Sequence, residues 1–210
     1  MKTVILTKTY NHFPLSYSNK NNNGFYINIL DSLQRLFNTM FYRHSQVFVI
    51  RLDLTYPTGI QYPHDNVLFS RFIEALTLYC KRIRKSKRTG NLVGDYDPMY
   101  LWTREDSGTG QHHFHILLLL NGNKIQNGRG ISEKAKELWN GCLGVHAEGL
   151  VHLCMPGGAY DQYGGVKLVR GSIDFPELFE NVFKWTSYLA KVYSKGNGPK
   201  HVKEYGMSRL

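Results

Sequence analysis

The run Gln111 to Leu120, QHHFHILLLL, limits the fold of this chain more than any other stretch. Its apolar part, Ile116 to Leu120, is the longest apolar run of the sequence, yet far below the roughly 20 residues that a membrane-spanning helix needs. Read as a strand from His113 to Leu120, it repeats every two residues, so the imidazoles of His113 and His115 share one face. Met99 to Glu105 reads as the preceding strand, joined to it through DSGTGQH, whose glycines and serine mark a hairpin loop. If the two strands pair, the Glu105 carboxylate is carried toward the two histidines. His112 breaks the alternation and is left outside this group.

The rest of the chain supplies partners for that hairpin. Gln46 to Tyr56, QVFVIRLDLTY, is β-branched, alternates in its second half and stops at Pro57, as a strand does. Gly149 to Met155 and Val166 to Val169 read as two more strands around a glycine-rich turn. Helical spacing of apolar residues is found over Tyr26 to Arg43 and over Asn66 to Lys87, the second ending in positive charge that suits its dipole. Ser132 to Trp139 reads as a short helix capped by Ser132, and Phe175 to Lys195 as a long one capped by Asp174 or Ser172. The expected fold is α+β, a central, mainly antiparallel five-stranded sheet flanked by helices. The polar stretch NKNNNG, Asn19 to Gly24, suggests an N-terminal arm over residues 1–24 laid on a single domain over 25–210.

Lys and Arg number 26 against 16 Asp and Glu, a formal net charge of +10, which favours an anionic partner without choosing between nucleic acid and a membrane surface. No P-loop and no dinucleotide-binding glycine pattern is present, so ATP-driven work falls to another protein. The opening Met1 to Tyr10 lacks signal-peptide architecture, and a soluble intracellular protein is expected. Cys80, Cys142 and Cys154 form no C-x-x-C pair, which points to reduced thiols rather than a disulfide framework or a cysteine zinc site.

Two groups carry chemistry. An H-x-H pair on a strand is common by itself, but two imidazoles and a carboxylate suit Mg²⁺, Mn²⁺ or Zn²⁺ with positions left open for phosphate oxygens. On the last helix, at about 100° per residue, Phe175, Leu178, Phe179, Val182, Leu189 and Tyr193 gather on one side and Lys184, Tyr188, Lys191 and Lys195 on the other. Tyr188 is thereby expected on a basic stripe. A phenol of pKa near 10 is a poor nucleophile at neutral pH, and neighbouring ammonium groups favour the phenolate and hold a phosphate. Lys191, one turn along, suits either task. Tyr193 reads as core first and as a second nucleophile only after that. Asp53 alternates onto the face of Arg51 and Thr55, open between an approach to the metal and a structural or DNA-contacting role.

H-u-H on a strand, with u apolar, followed by Y-x-x-K on a later helix resembles the HUH endonucleases, and among them the rolling-circle replication initiators. VIRLDLTYP, Val49 to Pro57, looks like the first motif of that superfamily, and Glu105 stands where several initiators supply a third metal ligand. The ending KEYGMSR is similar to the tail of inovirus-type (filamentous phage) replication proteins, and the resemblance covers roughly residues 26 to 209. It implies an RRM-like palm and a divalent ion, Mg²⁺ or Mn²⁺, on His113, His115 and Glu105. It also implies attack by Tyr188 as the single catalytic tyrosine, leaving a 5′-phosphotyrosine and a free 3′-hydroxyl, with Lys191 stabilising charge or handling the phenolic proton. The implied partners are single-stranded or hairpin origin DNA and a host helicase and polymerase, in the cytoplasm of a bacterial host cell, with the chain a monomer or weak dimer and no membrane involved. DNA contacts are expected from Arg51 and Thr55, from the basic tail KRIRKSKR with Lys81, Arg82, Arg84 and Lys85, and from Lys184, Lys195, Lys200 and Lys203. An HUH transposase, a non-catalytic DNA-binding replication regulator on the same fold and a metal-dependent hydrolase using water are the competing readings.

Overall fold

The computed structural model describes residues 3–17, 24–86, 90–106, 112–157, 163–192, 195 and 199–210. In chain order the elements are β1 (Val4–Ile5), β2 (Thr9–Tyr10), β3 (Phe13–Pro14), β4 (Phe25–Tyr26), α1 (Ile27–Arg43), β5 (Gln46–Thr55), α2 (Val67–Lys81), β6 (Arg84–Lys85) and β7 (Leu92–Val93). There follow β8 (Met99–Asp106), β9 (His112–Asn121), α3 (Arg129–Leu143), β10 (Val151–Cys154), β11 (Val166–Val169), α4 (Phe175–Thr186), a 3-10 turn (Ser187–Ala190) and β12 (Tyr205–Met207).

The main sheet has the order β10-β5-β9-β8-β12, with β11 also on β5, and every pairing is antiparallel. β10 pairs with Arg51 to Leu54 and β11 with Gln46 to Val49. The two share one edge position, so among the described residues the sheet is six strands in five places. The sixth strand, β12, escapes a reading of the sequence because it is three residues long. Its Gly206 lies so close to Trp102 that a Cβ would sit 2.7 Å from the indole nitrogen, and that close approach is what lets the edge form.

Helices cover both faces. α1 and α4 pack on Val47, Val49, Leu117, Leu119, Met99 and Leu101, while α2 and α3 pack on Phe48, Ile50, Leu52, Phe114, Ile116, Leu118 and Leu120. This double cover explains ILLLL: a central strand with apolar neighbours on both sides has no solvent face on which to alternate. No helix among the described residues is long and apolar enough to cross a membrane.

Several expectations change. The N-terminal residues belong to the body of the fold, because β1 pairs with β4, Leu15 is in the core, and the Phe13 ring packs 4.8 Å from that of Phe183. The second helix stops at Lys81 rather than Lys87: Arg84 stacks 3.8 Å over Tyr79 and donates to the Tyr79 and Arg82 carbonyls, and the chain turns into the β6–β7 pair. The last helix ends at Thr186 rather than Lys195. Thr186 and Ser187 donate back to the Val182 and Lys184 carbonyls, the Ser16 amide donates to Ser187 Oγ, and Lys191 bridges to Phe25. Ser132 lies within α3, which begins three residues earlier, and Asp174 precedes α4 without a side-chain cap bond.

Candidate active site

Three neighbouring strands converge at one end of the face covered by α1 and α4. Register sets Asp53, His115 and Thr103 in one row across β5, β9 and β8, and Thr55, His113 and Glu105 in the next. Odd-numbered positions of each strand share this face, so where Leu117 and Leu119 continue the core, His115 and His113 open a polar patch. Arg51, one row inward on β5, is 7 % exposed and donates to Asp53 Oδ2 at 3.1 Å.

His115 is the centre. Its Nδ1 lies 2.7 Å from Asp53 Oδ1, and its Nε2 lies 3.2 Å from Glu105 Oε2, which is reached diagonally across the ladder. Glu105 Oε1 in turn meets Lys195 Nζ at 2.5 Å. Burial resists charge on both carboxylates, but contact with His115, together with Arg51 for Asp53 and Lys195 for Glu105, holds each at about 2. Burial likewise opposes an imidazolium at His115, and the two carboxylates outweigh it and raise the imidazole above its ordinary value.

Tyr188 closes the group from above. The 3-10 turn after α4 lays its half-buried ring beside the sheet, edge-on to His115 at 5.3 Å between centroids and 79° between planes. The Arg51 guanidinium lies 4.3 Å and the Lys191 ammonium 4.8 Å from the ring centroid, both within cation–π range. Burial and the Glu105 carboxylate raise the phenol above its ordinary value, against the pull of Arg51. The surroundings therefore hold a protonated phenol, not the phenolate that a lysine-lined stripe suggests. Lys191 is lowered by burial and by Arg51, which brings its amine closer to exchanging a proton.

Several atoms in this patch are buried without a hydrogen bond: both His115 ring nitrogens, Asp53 Oδ1, Arg51 Nε and Thr103 Oγ1. The two carboxylates flank opposite ring nitrogens of His115, so one ion on Nε2 is within reach of Glu105, while Asp53 stays on the Nδ1 side; an imidazole nitrogen beside a carboxylate is a donor pair that a hard or borderline dication accepts. Among the described residues, the three side chains whose ligand atoms all lie within 4.8 Å of one another are a different set, His64, Asp106 and His112. His113 shares a row with Glu105 and is half-buried at the strand start.

A family model described as the YagK/YfjJ C-terminal domain matches residues 7–208. The chain belongs to that family. No curated protein and no solved structure matches it. The YagK/YfjJ match begins at residue 7, inside the segment that a sequence reading sets apart as an arm, in keeping with the packing of Phe13 and Leu15.

Within this YagK/YfjJ domain the expected site residues separate into two groups. His115, Glu105, Tyr188, Lys191 and Arg51 come together, and Asp53 joins them as a direct neighbour of His115. Lys195, expected as an exposed DNA contact, is instead 6 % exposed and paired with Glu105, because the chain leaves the helical path before it. Thr55 is half-buried beside His113, and Lys184 is exposed. The basic tail lies elsewhere: Asp95 and Tyr96 donate to the carbonyls of Lys81 and Cys80, and Asn121, at the far end of β9, donates to the Tyr96 carbonyl. Lys81, Arg82 and Lys85 are exposed there, about 25 Å of strand from His113. Tyr193 lies outside the described residues, as do Lys87 and Arg88. Thr103, buried opposite His115, escaped the sequence reading, whereas Asp53, expected on this face with its role open, is found against His115. The one signal for Thr103 is a polar residue on an odd position of an otherwise apolar strand.

Proposed function

We propose that the chain nicks and rejoins single-stranded DNA with Tyr188 as the nucleophile, assisted by a divalent ion, Mg²⁺ or Mn²⁺, as an initiator of rolling-circle replication does. One observation carries this reading: a tyrosine from a distant turn stands against His115 between two cations, over a patch of carboxylate and imidazole built from three strands. Apolar packing of the same volume would stabilise a core as well as such charges do.

His113, His115 and Glu105 would hold the ion, with Asp53 on the other ring nitrogen of His115 fixing the orientation of that ring. Bound there, the ion supplies Lewis-acid polarisation of the scissile phosphate and offsets the carboxylate charge that keeps the phenol protonated. Tyr188 Oη attacks phosphorus, the bond to the 3′ oxygen breaks, and the downstream strand stays on the protein as a 5′-phosphotyrosine. The phenolic proton passes to a neighbouring base, for which Lys191 is placed, and the leaving 3′ oxygen takes up a proton in exchange. Arg51 holds the ring and meets developing charge on the phosphoryl oxygens. The phosphotyrosine conserves bond energy, so a 3′-hydroxyl can reverse the step without ATP.

The test uses 3′-labelled single-stranded oligonucleotides of randomised sequence with Mn²⁺. A covalent adduct that carries the 3′ label, resists denaturant and vanishes with EDTA is expected. Cleavage without any protein-bound label would replace the tyrosine by water. Binding without cleavage would leave a non-catalytic DNA-binding regulator.

A further inference from the structure

Even-numbered side chains of β9 face α2 and α3, so His112 points away from Tyr188 even though it adjoins the H-x-H pair. It is 1 % exposed. One ring nitrogen, Nε2, lies 2.9 Å from Nδ1 of His64, which comes from the connection between β5 and α2. The other, Nδ1, lies 3.8 Å from Asp106 Oδ2 and is buried without a hydrogen bond. Asp106 stands opposite His112 in the β8–β9 ladder. A buried polar nitrogen left without a partner costs about 1–3 kcal/mol, and one ligand-type atom from each of His64, His112 and Asp106 lies within 4.8 Å of the other two.

We propose that His64, His112 and Asp106 form a binding site for a zinc-class dication, on the opposite face of the sheet from the nicking patch. Two imidazoles and one carboxylate are donors that such a borderline ion binds. Ligands about 2.0–2.1 Å from a tetrahedral ion stand roughly 3.3 Å apart, so the two rings need to part by only a few tenths of an ångström. His64 is exposed and sits on a connection rather than in the sheet, so it can give that distance. Arg104, buried on this face, opposes the ion, but it donates to Asn66 Oδ1 and feels both Asp106 and Asp65. The surroundings therefore set two carboxylates against one guanidinium. Bound here, the ion ties the connection over residues 57–66 to the start of β9, one residue from His113, and stiffens the strand that carries the other patch.

The experiment is Zn²⁺ binding by calorimetry and Zn²⁺-induced thermal shift on the full chain and on His64→Ala, Asp106→Asn and His113→Ala. His64→Ala removes an exposed ring and should leave the fold intact. The expected result is loss of one equivalent of Zn²⁺, or at least a tenfold weaker dissociation constant for it, in His64→Ala and Asp106→Asn, with the thermal shift lost too. His113→Ala should keep that equivalent. Identical Zn²⁺ stoichiometry and thermal response in the original chain and His64→Ala would overturn the proposal. DNA cleavage is no part of this readout, so the nicking proposal and this one stand or fall separately.

Discussion

Leu117 and His115 are neighbours on the same side of β9, yet they head two opposite kinds of region. On the Leu117 side, Val47, Val49, Met99, Leu101 and Leu119 lie buried against Leu33, Leu36 and Phe37 of α1 and Val182 and Phe183 of α4. On the His115 side, the same three strands and the same cover of helix and turn enclose Asp53, Glu105, Thr103 and Lys195. Backbone pairing is continuous between the two, although Asp53 and Glu105 are half-buried where the apolar side chains are fully buried. What differs is chemistry: the apolar end is stabilised by every side chain in it, while the polar end removes charges from water at a cost that is offset only as long as every partner is in place. A fold that carries such a cost next to a well-packed alternative is spending stability on what those groups can do.

That contrast can be broken from either side. The largest effect is expected at the polar end, where His115→Ala removes the group that brackets both carboxylates. Covalent adduct formation with 3′-labelled single-stranded DNA should fall by on the order of a thousandfold or more, and chelation of metal should match that loss without unfolding the chain. At the apolar end Leu117→Ala should cost about 2–5 kcal/mol in a denaturant titration, with the adduct rate per folded molecule unchanged. Equal damage to chemistry from both variants would erase the distinction.

Acid sharpens the same comparison. Asp53 and Glu105 are held at about 2 in the folded chain, below their ordinary values near 4. A carboxyl lowered by folding contributes stability that is fully present above its unfolded pKa and lost as pH falls toward the folded one. Stability should therefore drop between roughly pH 4 and pH 2. Glu105→Gln should lose less over that window, and Leu119→Val as much as the original chain, both followed by denaturant midpoints. The smallest effect is reserved for the basic tail. Lys81→Ala with Lys85→Ala, at the far end of the sheet, should weaken DNA binding by about threefold at low salt and reduce its salt dependence, leaving the rate of adduct formation at saturating DNA unchanged.

The strands and helices that meet in the core were legible because their patterns are local. β5, β8 and β9 follow the two-residue period or its doubly buried form, and α1 runs from Ile27 to Arg43 almost as its apolar spacing requires. The H-x-H pair and Glu105 were legible for the same reason, being fixed by alternation across one hairpin. What was not legible depends on contacts distant in sequence. The end of α4 is set by Ser16 and Phe25 reaching Ser187 and Lys191, so a helical projection carried past Thr186 misplaced Lys195 and put Tyr188 on an open lysine face. The β6–β7 turn carried the basic tail off the helix, and the edge strand β12 exists only against Trp102. His112 was set aside because it broke the alternation of one face. It belongs to the other.

The central claim is that Tyr188 is the group that joins DNA. The most direct measurement is peptide mass mapping of the covalent adduct formed with single-stranded DNA and Mn²⁺, alongside Tyr188→Phe. The expected result is a nucleotide remnant on the peptide that contains Tyr188, and no adduct in Tyr188→Phe at an unchanged melting temperature. A remnant on Tyr193 or any other residue, or an adduct that persists in Tyr188→Phe, would contradict it.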